Sequence, residues 1–295
     1  IAGLETGVIT PTEKINDIGV YKKAHEPACW IWNSYGMSHG WLNVTEAITH
    51  SCNYFFYEVG YRATIDNIAK YAKYYGLGEK TNVELPMEEK GIVATRDKAK
   101  ERGDEWQIGE TLSAAIGQSY NSYTPIQMAK YISMLANGGE PIDVTIVKSI
   151  NDVNGNQVSK EDITKFVNAK LGLTKEKKEN LNIKKENIDA ILKGMKGVTS
   201  EEGGTAYSTF ANFNIELGGK TGSAQTDVQG KINGWFVGFA PYEEPEIAVV
   251  VLVENAGSGS YTAEVARDIL QEYFGMNMEK VEEDLTAMPS TEIQN

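Results

Sequence analysis

Cysteine is almost missing from this chain: Cys29 and Cys52 are the only two in 295 residues. Two thiols cannot supply the bridge framework of a small disulfide-held domain, so the fold must rest on a hydrophobic core. The apolar share of 41% is enough for one large domain or two small ones. Basic charge is also short. Twenty-eight Lys and Arg face 41 Asp and Glu, a formal charge of −13. Such a surface repels phosphate backbones, which excludes nucleic acid as a partner. No apolar run reaches the roughly 18 residues that a membrane-crossing helix needs. Signal peptide, initiating methionine and internal repeat are all missing too.

What is present begins with IAGLETGVIT, which reads as the end of a helix, with Leu4 on its apolar side and Gly7 as its stop. The expectation is a piece of a longer protein, with any anchor or export signal upstream. Residues 8–43 read as loop, rich in Pro, Gly and aromatics. NVTEAIT then predicts a helix capped by Asn43 or Thr45. TIDNIAKYAKYYGLG predicts a second, ending at Gly76, and residues 81–110 read as irregular and charged. In TPIQMAKYISMLANGG, Thr124 caps a helix, Pro125 fills its first turn and Gly138 stops it. Residues 140–187 are polar and read as a surface excursion, partly strand and partly flexible. NIDAILKGMKGV predicts a short amphipathic helix.

Three strands follow, at 215–226, 232–241 and 246–254, and SYTAEVARDILQEYF predicts a closing helix. The short links between strands suit antiparallel pairing, so the fold class is α+β, an antiparallel sheet packed between helices. The continuous apolar run Ile247–Val253 predicts a strand buried on both faces with neighbours on both edges. Residues 1–275 read as one domain, and 276–295 as an acidic, flexible tail.

Two tripeptides carry chemistry: Ser51-Cys52-Asn53, and Lys220-Thr221-Gly222 within GGKTGSAQ. In this order they resemble the Ser-x-Asn and Lys-Thr-Gly motifs of the penicillin-binding protein transpeptidases. HGWLNVTEAI, IGQSYNSYTPIQMA, GGTA and GWFVGFAP extend the likeness from about Ile1 to Phe274. It is closest to the monofunctional class B branch, with the elongation type first. The resemblance implies the fold of that family and of the β-lactamases, with the family's first two strands missing from this chain.

It also implies roles. Lys220 supplies positive charge at the mouth of the site, and the Thr221 hydroxyl binds the carboxylate of a terminal D-Ala or a β-lactam. Gly222 leaves room for substrate, and the Ser223 N–H forms half of an oxyanion hole, with serine where threonine is commoner. Ser51 passes protons toward the leaving group, and Asn53 binds a substrate carbonyl. The implied reaction is peptidoglycan D,D-transpeptidation through an acyl-serine, which needs no catalytic cofactor. His50, beside Ser51, has no evident partner for a Ser-His pair.

The family's Ser-x-x-Lys is absent, because no serine here is followed three residues later by lysine. The resemblance places that serine just before Ile1, so this chain alone is expected to be inactive. It could be a fragment docked to the N-terminal portion of the same protein, an ordered part of a longer chain, or a silent truncation. A serine-less scaffold that binds peptidoglycan or a cell-wall partner is the rival reading, and a β-lactamase the next. The implied partners are peptidoglycan stem peptides, β-lactams, and elongation or division proteins. The implied place is the extracytoplasmic face of a bacterial membrane.

The cysteines leave three readings open: a structural zinc site, two unpaired thiols, or a Cys29–Cys52 bridge. For zinc, the ligands would be Asp17, Cys29, His39 and Cys52, with His25 as an alternative to His39. His39 is preferred because it leads directly into the Ser51 segment, whereas Pro27 interrupts the spacing from His25 to Cys29.

Overall fold

The computed structural model describes residues 1–172, 180–226 and 228–276. The chain opens with α1 (Ala2–Glu5), followed by β1 (Ile15–Asp17), α2 (Trp30–Tyr35) and β2 (Gly40–Leu42). Next come α3 (Val44–Thr49), α4 (Asn53–Tyr74), α5 (Arg96–Arg102), α6 (Ile108–Ala115), α7 (Pro125–Ala136) and α8 (Lys160–Leu171). The remainder is α9 (Lys185–Ser200), α10 (Tyr207–Phe210), β3 (Gly218–Gln225), β4 (Ile232–Ala240), β5 (Ile247–Val253) and α11 (Ser260–Tyr273).

Strands β3, β4 and β5 form one antiparallel sheet in that order, as the short links require. Five successive β4 residues, Phe236 to Ala240, are buried. Alternate residues of a strand point to opposite faces, so both faces of the sheet are covered. The cover comes from α7, α9 and α11. Ile132 and Leu135 of α7, Ile188 and Val198 of α9, and Ala266 and Leu270 of α11 share one core with Phe236, Phe239 and Val251.

Local signals explain several boundaries. Thr124 caps α7 with Pro in its first turn and Gln127 closing the box. Asn43, not Thr45, caps α3, and Glu46 reaches back to the Asn43 N–H at 2.8 Å. Glu5 Oε1 accepts from the Lys184 N–H at 3.1 Å and from Asn187 Nδ2 at 2.7 Å. It thus ties α1 to the start of α9, which has no side-chain cap of its own.

Other expectations are corrected. The stretch 81–110, expected to be irregular, holds α5 and the start of α6. Helix α6 forms because it packs on α4, where a Cβ at Gly60 would strike the Ala115 methyl. The loop 8–43 contains the β1–β2 ladder and α2. The helix expected from Thr64 is present, and a further helical stretch from Asn53 runs up to it, with Thr64, at φ 67° and ψ 157°, as the break between the two. The excursion 140–187 contains α8 and, among the described residues, no named strand. Its residues 173–179, and 277–295 of the expected tail, lie outside the described residues. β5 pairs with β4 alone among the described residues. Val249 and Val251 are buried, Val250 and Leu252 are half-buried, and Val253 is 39% exposed. β5 is therefore an edge strand among the described residues, as expected where the two strands that the resemblance places beside it are missing from this chain.

Candidate active site

The two motifs meet. Helix α3 ends at Thr49 with His50 as its C-cap and α4 begins at Asn53, so Ser51 and Cys52 complete the link between the two helices. Ser51 has φ +54°, a left-handed conformation that a non-glycine residue adopts at a cost of roughly 1–3 kcal/mol. The Cys52 N–H, donating to the Ala47 carbonyl at 2.9 Å, helps hold the turn closed. Cys52 is also the N-cap of α4, its sulfur accepting from the Phe55 N–H at 3.4 Å. Asn53 opens α4 and is half-buried.

Opposite this turn lies β3, the other edge of the sheet. Lys220 pairs with Val237, Thr221 with Phe236, Gly222 with Trp235 and Ser223 with Gly234. Lys220 Nζ donates to Ser51 Oγ at 2.8 Å and to the Thr221 carbonyl at 2.8 Å. Burial lowers the Lys220 pKa from 10.5 to about 8. The Thr221 hydroxyl lies 2.7 Å from that of Thr205. A Cβ at Gly222 would meet only the Trp235 Cβ, at 3.4 Å, so the fold itself leaves room for a side chain there. Ser223 Oγ accepts from the Gly259 N–H at 3.0 Å, and the Ser223 carbonyl from Gln118 Nε2 at 3.5 Å. The IGQ segment of the sequence therefore reaches the Lys-Thr-Gly strand.

Behind the Ser51 turn the structure gathers four candidate ligands. β1 pairs with β2 so that Asp17 faces Gly40, which sets His39 beside Asp17. Asp17 Oδ2 lies 2.7 Å from His39 Nδ1 and 3.4 Å from Cys52 Sγ. Cys29 Sγ lies 3.6 Å from His39 Nδ1 and 3.9 Å from Cys52 Sγ. The two sulfurs are not bonded. All four ligand atoms fall within 4.8 Å of one another. Bonds of about 2.0–2.3 Å in a tetrahedron put ligands roughly 3.3–3.8 Å apart, so the cluster has the size and the soft donors that suit zinc. His25 is exposed and lies against Gly109 of α6, outside the cluster.

The charges are mutually dependent. Burial would raise the Asp17 carboxyl, but hydrogen bonds from His39, Gly19 and Cys52 hold it at about 2. Burial would lower His39, yet Asp17 and Cys29 raise it to about 9. Contact with Cys52 lowers Cys29 to about 5, and the same contact raises Cys52. A low-pKa thiol beside imidazole and carboxylate is a good cation ligand. His39 Nε2 is buried without a hydrogen-bond partner among the described residues.

Two residues of the site carried no assigned role in the sequence. Thr205 sits in GGTA, and only its contact with Thr221 reveals it. His50 donates from Nδ1 to the Gly203 carbonyl at 3.2 Å, while Ser51 pairs with Lys220.

Known proteins resemble this chain in sequence and in fold. Residues 1–271 match the family model described as the penicillin-binding protein transpeptidase domain. The peptidoglycan D,D-transpeptidase MrdA of Haemophilus influenzae is 29% identical over 299 residues, covering 96% of this chain and 44% of that protein. Its Escherichia coli K12 counterpart is 30% identical over 286 residues, covering 92% and 43%. The chain thus spans less than half the length of these curated relatives. Pseudomonas aeruginosa PBP2 superposes with a TM-score of 0.77 at 31% identity, covering 92% of this chain and 58% of that one. Helicobacter pylori PBP2, solved in complex with MreC, gives 0.75 at 27%, covering 94% and 48%. The chain belongs to the penicillin-binding protein transpeptidase domain family.

Proposed function

We propose that this chain forms one wall of an elongation-type peptidoglycan D,D-transpeptidase site, completed by a nucleophilic serine outside residues 1–295. The observation that carries the reading is the 2.8 Å contact between Lys220 Nζ and Ser51 Oγ, which joins the two motifs across 169 residues. The β3 edge gives a stem peptide a strand to pair with. Thr221 donates to its terminal carboxylate, and Asn53 donates to a backbone carbonyl of the donor.

The serine oxygen attacks the penultimate D-Ala carbonyl, and an ester C–O bond forms. The Ser223 N–H supports the oxyanion. Lys220 donates to Ser51 Oγ, and Ser51 passes its proton to the departing amine as the C–N bond breaks while its oxygen takes up the proton that the attacking serine gives up. D-Ala leaves. An acceptor amine then attacks the ester, an amide forms and the serine regains its proton. β-Lactams stop the cycle at the ester. By itself the chain has no acyl-accepting serine and is inactive.

We also propose that Asp17, Cys29, His39 and Cys52 hold zinc. A bound zinc would supply structure, not acyl-transfer chemistry, because Cys52 sits between Ser51 and Asn53 and would be fixed with them. MreC in the Helicobacter pylori complex supports a cell-wall elongation partner for this chain, and extracytoplasmic placement follows from its substrate.

The test is cross-linking by the full-length protein, supplied with a donor pentapeptide and an acceptor amine. One D-Ala released per new amide supports the proposal. Catalytic hydrolysis of penicillin without cross-linking makes the protein a β-lactamase, and neither reaction makes it a scaffold.

A further inference from the structure

A chain of contacts beside the site takes no part in the steps above. His50 is the C-cap of α3, next to Ser51. Its Nδ1 lies 3.2 Å from the Gly203 carbonyl oxygen. A carbonyl can only accept, so Nδ1 carries the proton. Two residues further on, Thr205 Oγ1 lies 2.7 Å from Thr221 Oγ1. The connecting turn is rigid. The Gly204 N–H donates to the Glu201 carbonyl at 2.9 Å and the Ala206 N–H to the Val198 carbonyl at 3.0 Å. A Cβ at Gly204 would drive into the carbonyls of Gly197, Val198 and Glu201. His50 is held from its other side as well. Its ring stacks on His39 with centroids 6.0 Å apart, and its carbonyl accepts from the Trp30 indole at 3.1 Å.

We infer that His50 and Thr205 are positioning residues that present the Thr221 hydroxyl as a donor to a ligand carboxylate. The inference rests on the function proposed above. A threonine hydroxyl has one proton and two lone pairs. If Thr221 gave its proton to Thr205, it would meet a carboxylate with lone pairs alone. With Thr205 as the donor, Thr221 keeps its proton for the carboxylate, and each bond polarises the next in the favourable sense. His50 acts one step further back. By holding the Gly203 carbonyl it fixes turn 203–206 between the Ser51 turn and β3, and so fixes where Thr205 stands.

The experiment measures acylation of the full-length protein by a β-lactam bearing a free carboxylate and by its methyl ester. The readout is the ratio of the two rates on one preparation, so an unfolded fraction cancels. Thr205→Val and His50→Ala should each slow the acid about tenfold, the size of one hydrogen bond to a charged group, and leave the ester unchanged. Thr205→Ser and His50→Asn, which keep a donor, should restore the ratio. The double variant should be no worse than Thr205→Val alone, because both act on one hydroxyl. Thr205→Ala serves in the same way should valine not fit. Equal losses on acid and ester, an unchanged ratio, or single losses that multiply in the double variant would overturn the inference and leave the proposed function standing. A wild-type protein acylated by neither compound overturns both.

Discussion

The Cys52 sulfur lies 3.4 Å from the Asp17 carboxylate, although 35 residues separate them. Ser51 and Asn53 flank Cys52, so this contact pins the turn of the Ser-x-Asn motif onto the β1–β2 ladder. The support of the site and the site itself are adjacent residues.

Metal content checks that support. Native mass spectrometry of the full-length protein should find one zinc per chain, lost in Cys29→Ser and Cys52→Ser. Removing one member of a buried charged cluster costs about 3–5 kcal/mol, roughly 10 °C in Tm at this size. Metal-free protein with both thiols open to alkylation would sink the zinc proposal.

The pH dependence of stability separates an ion cluster from a metal site. Without metal, the lowered Cys29 pKa of about 5 contributes stability that is complete above its unfolded value near 9 and is lost as pH falls through 5. The raised His39 pKa of about 9 contributes stability that is complete below its unfolded value of 6.5 and is lost as pH rises through 9. Their slopes cancel between 6.5 and 9, so these two groups give a plateau there. With zinc bound, both thiols stay deprotonated while the unfolded chain binds protons. Stability at fixed free metal should then climb by roughly 2.7 kcal/mol per pH unit near pH 7–8. Lys220 contributes equally to both curves. Two parallel curves would contradict metal binding by the thiols.

Lys220 sets a second pH limit, on chemistry. Its pKa of about 8 means that the ammonium held against Ser51 is lost above that pH. Acylation should fall on the alkaline side with an apparent pKa near 8. Lys220→Met should abolish the limb and cut the rate by roughly 10²–10⁴. Lys220→Arg, charged at every accessible pH but different in shape, should be slow without the limb. A limb that persists in either variant would assign it to another group.

Two glycines should separate folding from function. Gly204→Ala meets three backbone carbonyls and should cost about 3 kcal/mol or more. Gly222→Ala meets only the Trp235 Cβ at 3.4 Å. It should melt within 2–3 °C of wild type yet acylate at least tenfold more slowly, because the methyl group occupies the substrate's approach. Normal acylation by Gly222→Ala would show that substrate does not pass there.

Much of the frame was legible. The three strands stood out as apolar runs with short links, and α7 carried its own cap and proline. Helix α6 was not legible, because its charged approach hides a short helix stabilised by the Gly60–Ala115 contact with α4. The motif residues announced themselves in local triplets. The ligand set at 17, 29, 39 and 52 has no periodic spacing and stood as one of three readings of the cysteines; the pairing of Asp17 with Gly40 across the ladder brings His39 beside Asp17. Thr205 was visible as part of GGTA, but its meeting with Thr221, 16 residues on, depends on how α9 delivers that turn to β3.

The central claim is that these residues complete a site whose nucleophile is a serine elsewhere in the protein. Intact mass of the full-length protein with benzylpenicillin, followed by peptide mapping, tests it directly. The account predicts one penicilloyl group, on a serine followed three residues later by lysine and lying outside residues 1–295, and no adduct in Lys220→Met on the same timescale. An adduct on Ser51 or another serine of this chain, or no adduct at all, would contradict it.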